Sequence, residues 1–257
     1  MYGVVREGDV DDLTVPEGGL KGATVSGVAY AEVSAIVSPL SSERVRSSRS
    51  DLSAHQRVVE FLAANTTILP LQFGVVMPSE QAVKDDLLEP NRTELALLLD
   101  EMAGKVELRL KATYLGDVAL QDAVESHSSI WRLQHRIQSR GEAASYHDRI
   151  QLGELVAEAL DRIKDDEAAE IVARLGQHAR AVQALNAGRE DIAFNAAFLV
   201  EETSRHQFDN AVDTLASDWG HRMSFQLVGP LAPWDFVAQD LAVSREPLPA
   251  SSTVGRQ

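Results

Sequence analysis

Residues 105–114, KVELRLKATY, alternate with a period of two: Val106, Leu108, Leu110, Ala112 and Tyr114 fall on one face, Lys105, Glu107, Arg109, Lys111 and Thr113 on the other. Successive side chains of a strand point to opposite faces, so this stretch predicts a strand with one buried and one wet face. Downstream lie helical patterns over about 117–140, 147–164 and 166–176; in the middle one Leu152, Leu155, Val156, Ala159, Leu160 and Ile163 recur at helical spacing. The Ala-rich run 180–186 and the apolar run 192–200 (IAFNAAFLV), separated by Gly188 and Asp191, predict a hairpin. A helix over about 201–219 follows, with Phe208, Val212, Leu215 and Trp219 on one side. Last comes a strand in which Met223, Phe225 and Leu227 alternate with Arg222, Ser224 and Gln226. The order β, helices, β, β, α, β is that of a ferredoxin-like sandwich (βαββαβ), its first crossover enlarged into a helical insertion over about 117–176.

Upstream, residues 25–38 (VSGVAYAEVSAIVS) are β-branched and apolar, as in a buried strand pair. Leu52, His55, Val58, Val59 and Leu62 then share a helical face, after Ser50 as N-cap. Residues 66–77 return to strand chemistry, with Pro70 predicting an edge or a bend because it has no N–H to donate. Ser79 caps a helix that Pro90 stops or kinks; Asn91 and Glu94 form a variant capping box for the next, and Gly104 ends it. The fold class is therefore α+β in two small domains. The expected divisions are 1–103 for an N-terminal α/β domain, 104–240 for the ferredoxin-like one and 241–257 for a flexible tail.

The 257 residues are 44% hydrophobic and 25% charged, the balance of a water-soluble globular chain able to build a core. A formal charge of −15 repels phosphate backbones and anionic lipid, so neither nucleic acid nor a lipid membrane is an expected partner. Arg44, Arg46 and Arg49 cluster, but in Ser-rich sequence without interleaved aromatics, which reads as a solvated loop. The absence of cysteine removes disulfides, thiolate metal sites and thiol nucleophiles, and fits a reducing compartment. The start MYGVVREGDVDDL meets acidic residues before any signal-like apolar run, and no segment reaches the roughly 20 apolar residues of a spanning helix. The expectation is a cytoplasmic, untethered protein.

The segment LPLQFGVVM at 69–77 resembles the "LPLRFG" motif of the gas vesicle GvpF/GvpL family. Further matches occur in the family's order: AYAEVSAIVS at 29–38, His55 with Val58 and Val59, GKVELRLK at 104–111, NAAFLVE at 195–201 with Phe208 after it, and VGPLAPWDFV at 228–237. Two departures stand out. Gln72 occupies the usual Arg position, and Leu231 with Trp234 replaces the usual aromatic and Tyr of the closing motif. A role needing the charge of that Arg is in doubt here. The resemblance implies two α+β domains, one a modified ferredoxin fold. It also implies family-motif residues with structural or partner-binding roles: Leu69, Pro70, Phe73, Gly74, Glu107, Asn195, Phe198, Gly229, Pro230 and Phe236.

Chemically, Leu69, Pro70, Phe73 and Gly74 supply shape and a bend but no nucleophile, acid or base. Glu202, His206 and Asp209 fall at helical spacing and spell either a divalent-ion site or simply a polar helix face. His127 and His135, eight apart, read as surface residues two turns apart. His55, on an apolar face, reads as a buried imidazole tying its helix to a loop. The pairs Asp11/Asp12, Asp85/Asp86 and Asp165/Asp166 are sequence neighbours whose side chains diverge, which favours solubility over acid catalysis. No phosphate-binding loop, dinucleotide fingerprint, nucleophile elbow or paired-His zinc helix is present, so no cofactor and no enzymatic activity are expected.

What the resemblance implies is an accessory protein of gas vesicle assembly or nucleation. It would be a minor component or a chaperone that binds the shell protein and other accessory proteins at the gas vesicle in the cytoplasm. The alternative is a small-metabolite sensor, which rests on fold analogy alone.

Overall fold

The computed structural model describes residues 1–9, 15–16, 18–40, 48–139 and 146–237. Arg44, Arg46, the Asp11/Asp12 pair and the tail 241–257 lie outside the described residues. The chain forms two compact units: Met1–Ala103 together with the chain from Trp234, and Gly104–Pro233.

In the first unit β1 (Gly3–Arg6), β2 (Ser26–Tyr30), β3 (Val33–Val37) and β4 (Leu69–Pro70) make a four-stranded antiparallel sheet in the order β2-β3-β1-β4. Helix α1 (Arg49–Ala63) starts at Ser48, not Ser50: the Ser48 hydroxyl accepts from the Asp51 N–H, and the Ser50 side chain only meets that of Ser48. Its apolar face buries Ala54, His55, Val58, Val59 and Leu62. Of the expected strand 66–77 only Leu69 and Pro70 are in the sheet, because β1 offers just Val4 and Gly3 as partners.

Ser79 does cap the next helix, accepting from the Ala82 N–H. Helix α2 (Glu80–Ala82) runs on through a π-helical turn over Val83–Leu88 into α3 (Glu89–Met102). Pro90 therefore neither stops nor ends a helix. The Glu89 N–H reaches back five residues to the Lys84 carbonyl, and that wider turn seats a proline in the first turn of α3, where its missing donor leaves no bond unmade. The Asn91/Glu94 capping box is absent for the same reason: the helix is already running, and the Asn91 amide donates to the Leu87 carbonyl.

In the second unit β5 (Lys105–Tyr114), β6 (Ala181–Ala184), β7 (Ile192–Glu201) and β8 (Met223–Leu231) form an antiparallel sheet in the order β6-β7-β5-β8. Between β5 and β6 lie α4 (Val118–Ser126), α5 (Ser128–Ser139) and α6 (Tyr146–Leu175); α7 (Arg205–Trp219) joins β7 to β8. The helical stretch expected over 117–140 is two helices, broken where His127 adopts an extended backbone. The two stretches expected over 147–164 and 166–176 are instead one 30-residue helix. The Lys164–Asp165–Asp166–Glu167 join contains neither Gly nor Pro, so nothing there interrupts it. The last expected helix begins at Arg205, because β7 extends to Glu201 and a single 3-10 turn, Glu202–Ser204, follows.

Leu108, Leu110, Phe194, Phe198, Phe208, Val212, Leu215, Ile171 and Leu175 make the core of this unit. Among the described residues no helix is long and apolar enough to cross a membrane. Helix α8 (Trp234–Val237) goes with the first unit, so the second ends at Pro233 rather than 240. The physical cause is the Trp234 ring, which lies 6.2 Å from that of His55.

Candidate functional site

The motif residues gather in two places, one in each unit. In the first, His55 is only 3% exposed and sits in an aromatic wall. Tyr2 stacks on it at 5.2 Å, Phe73 meets it edge-on at 5.6 Å, and Trp234 closes the third side. The imidazole Nε2 donates to the Leu71 carbonyl at 2.9 Å, the tie between helix and loop that the apolar position of His55 predicts. Burial, first of all, holds the imidazole below its ordinary pKa, so the ring is neutral at pH 7.

Leu69 and Pro70 are buried in β4, paired with Val4 and Gly3. Tyr2 fixes the same loop through its carbonyl, which accepts from the Leu71 N–H at 2.9 Å, while its hydroxyl bonds Ser38 at the end of β3 at 2.7 Å. Gly74 has φ +98°, a conformation that side chains resist, and Gln72 and Gly74 lie at the surface while Phe73 turns inward. Phe236 is half-buried in α8.

In the second unit Glu107 corrects the sequence reading. The wet face of β5 does not extend to it: its side chain is fully buried, and Arg109, two residues along on the same face, donates its Nε to the carboxylate at 2.7 Å. A buried carboxylate is held only by such charge-assisted bonds. Gly229 of β8 runs close beside the Glu107 and Leu108 backbone. A Cβ there would lie 2.6 Å from Leu108 Cδ2 and 2.9 Å from the Glu107 carbonyl oxygen, and its φ of +147° also suits only glycine. The β5–β8 register slips between Glu107 and Arg109, so Gly229 and Pro230 form the bulge of that pair.

Asn195 closes the β6–β7 hairpin, its amide donating to the Asn186 carbonyl at 2.8 Å. Phe198 is wholly buried against Phe194 and Phe208.

The metal reading of Glu202, His206 and Asp209 fails on geometry. Glu202 lies in the 3-10 turn and not on α7, Asp209 faces Arg205 at 3.6 Å, and His206 Nε2 meets the Asn210 amide at 3.1 Å. His127 and His135 belong to separate segments: His127 Nδ1 bonds the Ala123 carbonyl, and the His135 ring lies tilted against that of Trp131 at 5.3 Å.

One cluster had no signal in the sequence. The Tyr114 hydroxyl donates to Glu167 at 2.5 Å, Arg222 donates to Glu167 at 2.5 Å through Nη2 and to Asp122 through Nη1. The network joins β5, α4, α6 and the residue that enters β8. Burial, followed by the hydrogen bond to Glu167, raises the Tyr114 phenol well above its ordinary pKa. Its bonded pairs lie 53, 55 and 100 positions apart by sequence number, too far for any local pattern to reveal.

Comparison with known proteins follows the same residues. The family model described as gas vesicle synthesis protein GvpL/GvpF matches residues 1–238. A gas vesicle protein F of a Streptomyces strain is 31% identical over 199 residues, 76% of this chain and 80% of that one. Gas vesicle protein F of Dolichospermum flosaquae is 27% identical over 233 residues, covering 88% and 94%. Two crystal structures of gas vesicle protein GvpF share the fold. The Anabaena protein superposes with a TM-score of 0.82 at 26% identity, covering 92% of this chain and 96% of that one. The Microcystis aeruginosa protein gives 0.77 at 25% identity, covering 92% and 97%.

Proposed function

The chain belongs to the gas vesicle synthesis protein GvpL/GvpF family, and from that premise we propose that it is a non-catalytic accessory protein of vesicle assembly, one that binds the small shell protein before or during its polymerisation. The single observation that carries the reading is the match over residues 1–238, which includes both units and both clusters of motif residues. The chemistry of those clusters supports it. Neutral His55 is spent on the Leu71 carbonyl, Glu107 is held by Arg109, and Gly229 supplies a close backbone approach. Each of these groups holds the fold together, and none pairs a nucleophile with a base as acyl or phosphoryl transfer requires.

The same proposal assigns the protein to the cytoplasm and the gas vesicle, with other accessory proteins as further partners, and gives the second unit a modified ferredoxin-like fold. Support for that fold is the strand order β6-β7-β5-β8, all antiparallel, with helices between β5 and β6 and between β7 and β8. The net charge of −15 keeps a complex with an apolar shell subunit in solution.

Deleting the gene from its host and counting vesicles by electron microscopy tests the role, with purified shell protein and this chain tested for binding by calorimetry in parallel. The expected result is loss of vesicles, restored by the intact gene, and saturable binding. Normal vesicles in the deletion strain, or shell protein that does not bind, overturns it.

A further inference from the structure

We propose that the outer edge of β8 is a docking edge, where an extended segment of about five residues from a gas vesicle partner adds a fifth strand to the second sheet. The inference rests on the accessory role proposed above and gives that role a surface.

β8 is the last strand of the order β6-β7-β5-β8, with β5 on one side and no strand on the other among the described residues. Its register fixes which backbone groups face outward. The Leu115 N–H donates to the Arg222 carbonyl at 2.8 Å, which makes Leu115 and Arg222 a hydrogen-bonded pair. Antiparallel pairs alternate, and the ladder runs without a slip from Tyr114–Met223 to Arg109–Val228. Ser224, Gln226 and Val228 therefore turn their N–H and C=O groups to β5. Met223, Phe225 and Leu227 turn theirs outward.

Proteins blunt such edges with charge, proline or brevity. β6, the opposite edge, is four residues long and is flanked by Arg180, which pairs with Glu201. β8 is nine residues long and, in a chain with 63 charged residues, contains none of them. Its protection comes only at the far end, where the Gly229–Pro230 bulge breaks the register and Pro230 has no N–H. Met223 is buried in the core, so the open part of the edge is residues 224–228.

The side chains define the occupant. Met223, Phe225 and Leu227 belong to the apolar row packed on the core, with Phe225 and Leu227 half-exposed, whereas Ser224 and Gln226 lie exposed on the other face. A strand laid alongside continues both rows if its own residues alternate apolar and polar. Its charge is set by the field of a −15 chain, which repels an acidic segment and a second copy alike and admits a neutral or basic one. The occupant is accordingly an alternating apolar segment, without net negative charge, of the small shell protein.

Amide hydrogen exchange by NMR on the full chain, with and without purified shell protein, tests this. In the free protein the amides of Phe225 and Leu227 exchange fast and those of Ser224 and Gln226 slowly; shell protein is expected to slow the first two by at least about tenfold. Leu227→Pro removes one outward donor without breaking the β5 ladder, and Leu227→Ala removes the same packing but keeps the donor. The expected result is a loss of affinity of at least about tenfold for the proline variant relative to the alanine one. Shell protein that binds while the two amides stay fast, or binds both variants alike, overturns the docking edge and leaves the accessory role standing. Shell protein that does not bind the intact chain at all removes the accessory role as well. Protection that appears in the chain alone, rising with concentration alongside a dimer mass, overturns the proposal in favour of a second copy.

Discussion

In the first unit, helix α1 is held to the chain after β4 by one neutral imidazole, His55, enclosed by Tyr2, Phe73 and Trp234. In the second, β5, α4, α6 and the start of β8 are held by a phenol, two carboxylates and a guanidinium. Both devices fasten helices to strands across long stretches of sequence, but they respond to different perturbations. A buried neutral ring relies on packing and one satisfied carbonyl, and its liability is protonation. An ionic cluster relies on every partner being present, and its liability is the removal of one, which leaves the others charged and partly desolvated.

The largest expected effect comes from breaking the first device. His55→Ala loses three ring contacts and leaves the Leu71 carbonyl unpaired, a destabilisation of about 3 kcal/mol. Urea unfolding followed through Trp234, in a background where Trp131 and Trp219 are Phe, reports it directly. Arg222→Ala strips the second device of the cation that joins its two carboxylates and is expected to cost about 2 kcal/mol; Asp122 is 40% exposed and so is partly solvated already. The matching measurement is urea unfolding followed through Trp219 in a Trp131→Phe, Trp234→Phe background. Tyr114→Phe removes one hydrogen bond to Glu167 and leaves the Arg222 pairing, for about 1 kcal/mol in the same assay.

The smallest effect sharpens the contrast by pH. Because the folded pKa of His55 lies below its unfolded value of 6.5, the unfolded chain binds the extra proton first. Its contribution is fully present above pH 6.5 and is lost as pH falls through the folded value. Trp234-detected stability is expected to decline over that window in the parent and to decline less in His55→Gln. Identical slopes in the two proteins would remove His55 as the cause.

How much of this was legible beforehand depended on range. The alternation in 105–114 placed β5, and His55 took the buried, hydrogen-bonded position that its apolar helix face announces. Ser79 was readable as a cap because capping is decided within three residues. Pro90 and Asn91 were misread because a π-helical turn upstream changed which residue begins a helix, and no local signal marks such a turn. His127 broke a helix whose pattern looked continuous, while Asp165 and Asp166 failed to break one that looked divided.

Periodicity and composition along the chain carry the succession of strands in the second unit, the apolar faces of α1 and α7, the net charge of −15 and, through ordered motifs, the family. Those properties follow from side-chain periodicity and composition, which a linear string contains in full. Folding alone sets the burial of Glu107 against Arg109, the close approach of Gly229 to the Glu107 carbonyl, and the closing of the wall around His55 by Trp234. It alone brings Tyr114, Asp122, Glu167 and Arg222 together and turns the backbone groups of Phe225 and Leu227 away from β5. Burial, ion pairing and the direction of a backbone amide are set by whatever the rest of the chain places beside a residue, and no pattern within a strand or a helix encodes a neighbour a hundred residues away.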